Sequence, residues 1–410
     1  MKIAIIGAGA AGLAALRHSL DDGHECVAFE KTGAIGGTWN YVDEVGTDEY
    51  GLPIHSSMYK GLRTNLPKEL MQYEDFPYTE PERSYLFQPE VLNYMNKYVD
   101  FFKLLPHIKL FTHVQLVEPL PEEKWKITIK DLKTGKTEEN VYDAVFVCVG
   151  NYSVPKVPEM DGISKFEGKV IHSHKYRTSN PFTARRVLVV GAGPSGVDIS
   201  SIISDVADKV FVSIRSSTFL NLSEKITVKQ EIEYFEKHSV VFKDGTKEDI
   251  DDVIFCTGYI YSYPFLSPTC AIKVENNWVK HLYKQIVNIQ HPTMGFIGIP
   301  FRIIPFPVVG IQVRFFLAFL KGNVKISKDE MMRELNEYML KKEEETGAAR
   351  QAHFLGLEQG WYMDDLADTA NIKRVPPVIY KLYHHIHTFA KGKRHLSYKI
   401  LNDNEFIEIS

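Results

Sequence analysis

The chain begins with an apolar run that leads directly into a glycine-rich turn. Residues 3–6 are apolar, residues 7–12 have the sequence GAGAAG, and leucines recur at helical spacing as far as Leu20. A second apolar run, 26–29, follows the Asp22-Gly23 stop. Short apolar runs predict buried strands, and apolar residues three to four positions apart predict an amphipathic helix. The pattern therefore predicts a strand, a glycine turn, a helix and a second strand.

The same pattern returns in the second half of the chain. The apolar run 186–190 leads into residues 191–196, with the sequence GAGPSG, and a helix is predicted from there to Ile202. The next predicted strand covers 210–214. A four-residue turn at 243–246, with the sequence KDGT, predicts a hairpin in the same region.

The two halves also end alike. Residues 142–150 (YDAVFVCVG) and 250–258 (IDDVIFCTG) are both apolar strands that run into glycine. We therefore predict an α/β fold with two dinucleotide-binding, Rossmann-like domains, the second inserted in a larger first one. The predicted boundaries are 1–155 for the first part of the larger domain, 156–258 for the inserted domain, and 259–410 for the second part with C-terminal helices.

Each glycine turn has the spacing GxGxxG. The first glycine makes the tight turn, the second lets backbone approach a pyrophosphate, and the third lets helix and strand pack closely. One such match is a weak signal, but two matches, each between a strand and a helix, favour nucleotide binding over coincidence. The candidate cofactor-binding residues are Gly7, Gly9, Ala10, Ala11 and Gly12 in the first turn, and Gly191, Gly193, Pro194, Ser195, Gly196, Val197 and Asp198 in the second.

Opposite charges follow the two turns. Glu30 lies at the end of the second strand of the first unit, where an acid binds ribose hydroxyls. At the equivalent point of the second unit Ile214 is followed by Arg215 and the hydroxyl residues 216–218. An arginine fork binds a 2′-phosphate that an acid would repel. The first site is thus predicted to take FAD or NAD and the second to prefer NADPH, unless Arg215 is an ordinary solvated charge.

A second glycine pair favours FAD over NAD in the first site. Gly36 and Gly37 precede Thr38 and Trp39, so backbone can approach a further part of the ligand and an aromatic ring can cover it. An NAD site does not need this extension. The alternative is a loop that carries a core tryptophan.

The amino-acid composition excludes several other classes of protein. Lys and Arg total 48 against 52 for Asp and Glu, so the net charge is −4, which argues against a nucleic-acid partner. The four cysteines form no CxxC pair. A disulfide scaffold, a zinc module and a dithiol redox centre are therefore excluded, and four buried reduced thiols are predicted.

No transmembrane segment is predicted. Prolines and arginines interrupt the most apolar region, 294–322, and the Phe- and Pro-rich stretch 301–320 is interpreted as core or oligomer surface rather than a membrane anchor. The N-terminal run lacks a cleavage site and is interpreted as a strand. We expect a soluble protein, cytoplasmic or, if a signal peptide has been removed from a precursor, extracellular; a homo-oligomer stays open.

Two further motifs resemble those of class B flavoprotein monooxygenases. One, with the spacing FxGxxxHxxxY, consists of Phe166, Gly168, His172 and Tyr176. The other runs from Asp251 through Cys256, Thr257 and Gly258 to Tyr259, with Cys256 where the family usually has alanine. Two shorter elements are similar to those of flavin-containing monooxygenases: a QxR element at Gln312 and Arg314, and a flavin-site loop at 62–65, with 67–69 and 75–77.

The resemblance covers about residues 1–335 and implies the chemistry. In that family NADPH reduces FAD, O2 forms a C4a-hydroperoxyflavin, and one oxygen passes to a soft nucleophilic nitrogen or sulfur. The substrate would be a small-molecule amine or sulfide, as in N-oxide formation on a xenobiotic or alkaloid during detoxification. The short inserted domain and missing membrane tail resemble the compact insect branch, which includes pyrrolizidine-alkaloid (senecionine-type) N-oxygenases.

The resemblance also suggests residue roles. Asn65 is the candidate catalytic residue, at the junction of flavin and nicotinamide, unless it only forms a turn. Thr64, Thr257, Gly258 and Gln312 are candidate cofactor-binding residues; a helix-surface position is the alternative for Gln312. His172 and Tyr176 are interpreted as domain-linking residues, and the histidines at 384, 385 and 387 as a partly solvated helix face rather than a metal site.

Two other functions stay open. A Baeyer–Villiger or N-hydroxylating monooxygenase of the same class would use the same cofactors. The Baeyer–Villiger fingerprint, however, usually ends in a Trp-Pro pair, where this chain has Arg177 and Thr178. A non-catalytic sensor of FAD and NADP is the third candidate, because a fold does not determine a function.

Overall fold

The computed structural model describes residues 1–215, 223–347, 351–390 and 392–409. The chain divides into two compact units. The first comprises Met1–Asn40, Arg63–Asn151 and Tyr261–Ser410, and the second comprises Tyr41–Leu62 and Tyr152–Ile260. The second unit is therefore inserted in the chain of the first.

The first unit contains fourteen of the described strands. They are β1 (Lys2–Ile6), β2 (Glu25–Phe29), β3 (Ile108–Lys109), β4 (Thr112–Leu120), β5 (Lys124–Asp131), β6 (Thr137–Tyr142), β7 (Ala144–Val147), β18 (Val274–Glu275), β19 (Trp278–Val279), β20 (Leu282–Tyr283), β21 (Val287–Asn288), β22 (Met294–Phe296), β23 (Ser397–Asn402) and β24 (Glu405–Ile409). Its described helices are α1 (Ala10–Asp21), α2 (Gln88–Phe101), α4 (Pro305–Leu320), α5 (Lys328–Thr346), α6 (Gln359–Ala370) and α7 (Pro377–Phe389).

The second unit contains the remaining described elements. Its strands are β8 (Val154–Pro155), β9 (Lys169–His172), β10 (Arg186–Val190), β11 (Lys209–Ser213), β12 (Ile226–Lys229), β13 (Ile232–Phe235), β14 (Ser239–Phe242), β15 (Lys247–Asp249), β16 (Asp252–Phe255) and β17 (Tyr259–Ile260). The helix α3 (Pro194–Ile203) follows the second glycine turn.

A seven-stranded sheet forms the centre of the first unit, in the order β20-β21-β22-β7-β1-β2-β3. The strands from β22 to β3 are parallel, and β1 lies between β2 and β7. Ile3 and Ile5 pack into the core formed with α1 and α4, whereas Ala4 and Ile6 pack against the antiparallel sheet β4-β5-β6. Burial on both faces explains why β1 is apolar at successive positions rather than at alternate ones.

The second unit repeats this arrangement on a smaller scale. Its five-stranded sheet is parallel throughout, in the order β12-β11-β10-β16-β9. The strand β10 lies between β11 and β16, as β1 lies between β2 and β7. The hairpin predicted at 243–246 joins β14 and β15 and is confirmed. The predicted α/β fold class is therefore confirmed, with one sheet in each unit built around parallel strands.

Several local predictions are also confirmed. The stretch 301–320 contains α4, whose side chains are buried over most of its length, so it belongs to the core. Ser327 and Glu330 form a capping box at the start of α5. All four cysteines are buried and unpaired. Within the described ranges, no helix combines the length and hydropathy needed to cross a membrane.

The two units differ from the predicted domains mainly in one segment. The prediction places residues 41–62 in the first domain, but they pack with the second unit; the other bounds differ by two to four residues. The physical reason is a set of hydrogen bonds from the buried Arg177 to three backbone carbonyls of this segment, those of Val42, Glu44 and Ser56. Such contacts are distant in sequence and have no periodic pattern, so the sequence alone could not reveal them.

His353 should make the folded state sensitive to acid. Its ring is buried beside the Gln285 side chain, and Nε2 accepts from the Val279 N–H at 2.9 Å. Burial lowers the pKa of His353 from 6.5 to about 3. The unfolded chain therefore takes up this proton first, so stability is full above pH 6.5 and falls as the pH drops toward 3.

We expect this group to remove up to about 1.4 kcal/mol of unfolding free energy per pH unit in that range. Urea unfolding between pH 4 and pH 7 measures the slope. His353→Gln keeps a donor and an acceptor but cannot titrate, and its pH dependence should be flatter than that of the wild type. Equal slopes would contradict the assignment.

Candidate functional site

The first glycine turn connects β1 to α1, and its geometry requires glycine at two positions. Gly7 has φ +102°, and a Cβ there would lie 2.5 Å from the carbonyl oxygen of Cys148. A Cβ on Gly12 would lie 1.9 Å from the carbonyl oxygen of Gly7. The first and third glycines therefore serve the tight turn and the close packing that the motif predicts.

The second glycine turn, between β10 and α3, has the same geometry. Gly191 has φ +101° and approaches the Cys256 carbonyl, and a Cβ on Gly196 would lie 1.9 Å from the Gly191 carbonyl oxygen. Gly193 is different, because a Cβ there would meet no atom of the described residues within 4 Å. Space for a ligand therefore adjoins the second glycine of this turn.

Both turns lie where the strand order of a parallel sheet reverses. In the first unit β2 and β7 flank β1 on opposite sides, and in the second β11 and β16 flank β10. Ligands of open α/β sheets bind beyond the carboxyl ends of the strands at such a point. The helices that follow the two turns begin with other candidate residues. These are Ala10 and Ala11 in α1, and Pro194, Ser195, Val197 and Asp198 in α3.

The Gly36-Gly37 pair packs directly on the first glycine turn. The Gly36 N–H donates to the Ala8 carbonyl at 3.0 Å, and a Cβ on Gly37 would lie 3.0 Å from Gly9 Cα. Two stretches of backbone thus meet without a side chain between them. Thr38 and Trp39 continue in a short 3-10 turn. This arrangement fits a dinucleotide whose pyrophosphate needs close backbone approach.

Glu30 is held rigidly at the end of β2. Its carboxylate accepts from the Ala8 N–H at 3.0 Å, and from the Thr32 N–H and hydroxyl at 2.9 Å each. The residue is buried beside the glycine turn. A carboxylate has about four lone-pair sites, so acceptor capacity remains for ribose hydroxyls. The position and orientation therefore agree with the ribose role that the sequence predicts.

Arg215 lies just beyond β11, and its side chain is 73% exposed. Its Nε is 3.2 Å from Glu231, which Lys243 also contacts. Lys243 first and Arg215 second hold the pKa of Glu231 below its usual value. The guanidinium is thus accessible at the end of the strand where a 2′-phosphate would bind. Residues 216–218, with the predicted hydroxyls, lie outside the described part of the chain.

Thr64 and Asn65 differ sharply in their surroundings. Thr64 is buried, its N–H donates to the Leu86 carbonyl at 2.8 Å, and its hydroxyl accepts from the Leu86 N–H at 3.0 Å. Its hydroxyl therefore fixes the loop. Asn65 is exposed, and its amide has no hydrogen-bond partner among the described residues. An amide in this state is available to a ligand.

Gln312 is not on a helix surface, so that alternative is wrong. It is fully buried; its Oε1 accepts from the Gly298 N–H at 2.8 Å and its Nε2 donates to the Tyr362 hydroxyl at 2.7 Å. Both ends of the amide are thus already paired within the protein. Gly298 comes two residues after β22, at the carboxyl edge of the sheet, so Gln312 supports a loop of that edge. Asn151 binds the carbonyl of the same Gly298, a contact that no sequence pattern indicated.

Arg314, the other residue of the QxR element, forms an ion pair. Its Nη2 is 3.0 Å from Glu74, and its Nη1 donates to the Lys373 carbonyl at 2.8 Å. The Arg314 guanidinium is therefore paired within the first unit, with Glu74 and the Lys373 carbonyl, which no sequence motif links to it.

Gln312→Leu is expected to lower the unfolding free energy by about 2 kcal/mol, because it leaves the partly buried Gly298 N–H without its acceptor. It should also lower the ratio of flavin to protein after purification, because the supported loop lies at the edge that carries the first site. Thermal unfolding and flavin absorbance measure the two effects. Tyr362→Phe is the control, since it keeps the Gly298 contact and should keep flavin. Equal flavin content in Gln312→Leu would contradict a role in supporting the site.

The fingerprint FxGxxxHxxxY divides between the two edges of the second sheet. A Cβ on Gly168 would lie 2.2 Å from the Asp251 carbonyl oxygen and 2.4 Å from the Phe166 ring, so this half packs the amino edge. His172 ends β9 at the carboxyl edge, its ring 5.2 Å from that of Tyr259. Burial is the main cause that lowers the pKa of His172 to about 4. The imidazole is therefore neutral at pH 7, which argues against an acid role.

Thr257 and Gly258 follow β16 at that same carboxyl edge. The Thr257 hydroxyl donates to the Lys156 carbonyl, and the Gly258 carbonyl accepts from the Lys156 N–H. Gly258 has φ +86°, and a Cβ there would meet none of the described residues within 4 Å. The crevice that begins at Gly193 is the open space beside Gly193 and Gly258 at this carboxyl edge.

The histidines of α7 lie far from both glycine turns in sequence. His385 Nε2 is 3.2 Å from the Glu408 carboxylate of β24. Within the described ranges, no group of three His, Cys, Asp or Glu side chains is placed to hold a metal ion.

Comparisons with known proteins extend over nearly the whole chain. The family described as flavin-binding monooxygenase-like matches residues 1–223 and 218–387. A senecionine N-oxygenase from Tyria jacobaeae is 34% identical, covering 99% of this chain and 91% of that protein. Flavin-containing monooxygenase FMO GS-OX-like 4 from Arabidopsis thaliana is 36% identical, covering 89% of this chain and 86% of that protein.

A solved structure shows the same similarity. S-allyl-L-cysteine S-oxygenase from Allium sativum superposes with a TM-score of 0.88 at 32% sequence identity. The match covers 96% of this chain and 94% of that chain.

Proposed function

This chain belongs to the flavin-binding monooxygenase-like family, and from that premise we propose that it is an NADPH- and O2-dependent N- or S-oxygenase. The substrate is a small molecule with a soft nucleophilic nitrogen or sulfur, and a tertiary amine of a xenobiotic or alkaloid is the form we favour. The reaction consumes NADPH, a proton, O2 and the amine, and yields NADP⁺, water and the amine N-oxide.

The observation that carries the proposal is the pair of glycine turns with opposite charges. Each turn lies at the switch point of its own parallel sheet, with Glu30 beside the first and Arg215 beside the second. Two dinucleotides of different charge are thus accommodated, FAD in the first unit and NADPH in the second. When bound, flavin supplies the redox chemistry that carries electrons from NADPH to O2.

The protein residues bind and orient these groups. FAD would be held by the backbones of Gly9 and Gly37 and by Glu30. NADPH would be held by the second glycine turn, Arg215 and Thr257. The exposed Asn65 amide can both donate and accept a hydrogen bond without carrying a proton at pH 7. We assign it the position next to the reacting oxygen, where a neutral group leaves the protonation of that oxygen unchanged.

The names of relatives support a soft nitrogen or sulfur as the atom oxidised. One relative is named an N-oxygenase and another an S-oxygenase. Both atoms carry an accessible lone pair, so the same oxygen donor serves both. We favour the tertiary amine, with pyrrolizidine alkaloids among the candidates, because the senecionine N-oxygenase matches almost the full chain.

The test starts with the purified, flavin-loaded protein. NADPH should bleach the flavin absorbance, and in air a tertiary amine should be converted to its N-oxide with matched consumption of NADPH. A sulfide of similar size and a cyclic ketone are the comparison substrates, and mass spectrometry identifies each product. Flavin that stays oxidised with NADPH would refute the proposal. Lactone from the ketone would favour the Baeyer–Villiger alternative, and nucleotide binding without turnover would favour a sensor.

Asn65→Leu is expected to separate the two half-reactions. Reduction of flavin by NADPH should stay within about threefold of the wild type, since the Asn65 side chain makes no hydrogen bond to the described residues. Product formation should fall by about tenfold or more, with NADPH consumption diverted to H2O2. Stopped-flow absorbance and a peroxide assay measure the two rates. If Asn65→Leu formed as much product per NADPH consumed as the wild type, the role assigned to Asn65 would be wrong.

A further inference from the structure

Arg177 uses its whole guanidinium to bind backbone carbonyls. Nε donates to Val42 at 2.8 Å, and Nη2 donates to Glu44 and Ser56, each at 3.1 Å. Nη1 donates to the carbonyls of His174 and Tyr176, at 2.8 and 3.0 Å. The residue is 7% exposed, and no carboxylate in the described part of the chain lies within ion-pair distance of it.

A buried cation is costly unless its donors are satisfied. Five carbonyl oxygens satisfy this one, and they come from two segments that are far apart in sequence. The backbone adds a further link, because the Lys60 N–H donates to the Arg177 carbonyl at 2.8 Å. Arg177 therefore clamps residues 41–62 onto the rest of the second unit.

The clamped segment reaches the helix of the second glycine turn. The Tyr59 hydroxyl donates to the Asp198 carboxylate, on the second turn of α3. The Tyr59 ring also packs edge-on against that of Tyr176, with centroids 5.3 Å apart. The segment is thus bonded to one side of the crevice that begins at Gly193.

The same segment reaches the other side of that crevice. The Ser57 side chain hydrogen-bonds the hydroxyl of Tyr259, the residue after Thr257 and Gly258. The strands β10 and β16, which lead to the two sides, are neighbours in the sheet. Residues 57 and 59 therefore bridge the carboxyl ends of the two strands that define the switch point.

We propose that residues 41–62 form one wall of the second dinucleotide site, and that Arg177 is the positioning residue that holds this wall. The proposal rests on the proposed function of the second unit as the NADPH site. It predicts that loosening the segment weakens NADP⁺ binding while FAD binding in the first unit is unchanged.

The experiment compares Arg177→Met and Arg177→Lys with the wild type, each as the flavin-loaded protein. Arg177→Met keeps the length of the side chain but removes every donor. We expect it to weaken NADP⁺ binding about tenfold or more by calorimetry, and to raise the KM for NADPH more than it changes kcat. Lysine has three donors and no planar fork, so it should restore binding only partly. Tyr59→Phe removes one charge-assisted hydrogen bond and should weaken NADP⁺ binding about threefold to tenfold.

Hydrogen exchange and a matched arginine control distinguish positioning from general instability. Peptides from 41–62 should exchange faster in Arg177→Met even without nucleotide. Arg185→Met is the control: Arg185 pairs with the buried Asp252 at the opposite, amino edge of the same sheet. It should lower the melting temperature without changing NADP⁺ affinity.

Three outcomes would overturn the proposal, and they can be told apart. If the wild type binds NADP⁺ and Arg177→Met binds it equally well, residues 41–62 are not a wall of the site, and the proposed function stands. If the wild type binds no NADP⁺, the proposed function and the wall both fail. A loss of affinity in Arg185→Met as large as that in Arg177→Met would also refute a specific role.

Discussion

Replacing Gly193 with alanine is expected to remove tight NADPH binding and leave both units folded. Gly193 has φ −70° and ψ −176°, which alanine adopts readily, and a Cβ there would meet no atom of the described residues within 4 Å. The methyl group would occupy the space that backbone needs to approach the pyrophosphate. We expect NADP⁺ affinity to fall about 100-fold, the equivalent of one or two phosphate hydrogen bonds, with the melting temperature lowered by a few degrees at most.

Gly196→Ala is the matched comparison in the same turn. Its Cβ would lie 1.9 Å from the Gly191 carbonyl oxygen, so the backbone must shift and the second unit should lose stability. Calorimetry with NADP⁺ and thermal unfolding separate the two variants. Wild-type affinity in Gly193→Ala would show that the second turn does not hold the pyrophosphate.

Arg215→Ala should remove the preference for NADPH over NADH. The guanidinium is exposed beyond β11 and, among the described residues, pairs with Glu231. Loss of a charge-assisted contact to the 2′-phosphate is expected to raise the KM for NADPH at least about tenfold, with little change for NADH. Steady-state flavin reduction with each nucleotide gives the ratio.

Two further variants test the cause of that preference. Glu231 competes with a 2′-phosphate for Arg215, so Glu231→Gln is expected to keep or strengthen NADPH binding. Lys225 is similarly exposed and pairs with Asp205 at 3.1 Å, and Lys225→Ala should leave the ratio of the two nucleotides unchanged. If Arg215→Ala kept the wild-type ratio of KM values for NADPH and NADH, Arg215 would be an ordinary solvated charge and not a phosphate-binding residue.

The elements that surround the glycine turns were predictable because they depend on local rules. The apolar runs at 3–6 and 186–190 became β1 and β10, and the helices begin within the two motifs. Steric limits on φ and on Cβ at Gly7 and Gly191 act within the turn and on the neighbouring strand. A repeated pattern was therefore enough to predict two parallel α/β units.

The hydrogen-bond partners of Gln312 and the domain to which residues 41–62 belong were not predictable from the sequence. The sequence places Gln312 at a cofactor or on a helix surface; the structure buries it and pairs its amide with Gly298 and Tyr362, and a cofactor contact stays a prediction. The segment 41–62 was expected in the first domain, but Arg177 binds it to the second unit. In both cases a polar side chain satisfies backbone groups that are remote in sequence, and no periodicity records such a pairing.

The sequence by itself determined the two glycine turns, their strands and helices, and the opposite charges of Glu30 and Arg215, because each depends on residues close together in the chain. The tertiary structure alone decided which carbonyls Arg177 binds, which loop Gln312 supports, and that Tyr59 reaches Asp198. Those outcomes depend on where buried donors find acceptors after the sheets have formed, since an unsatisfied buried polar group costs as much as many packing contacts gain.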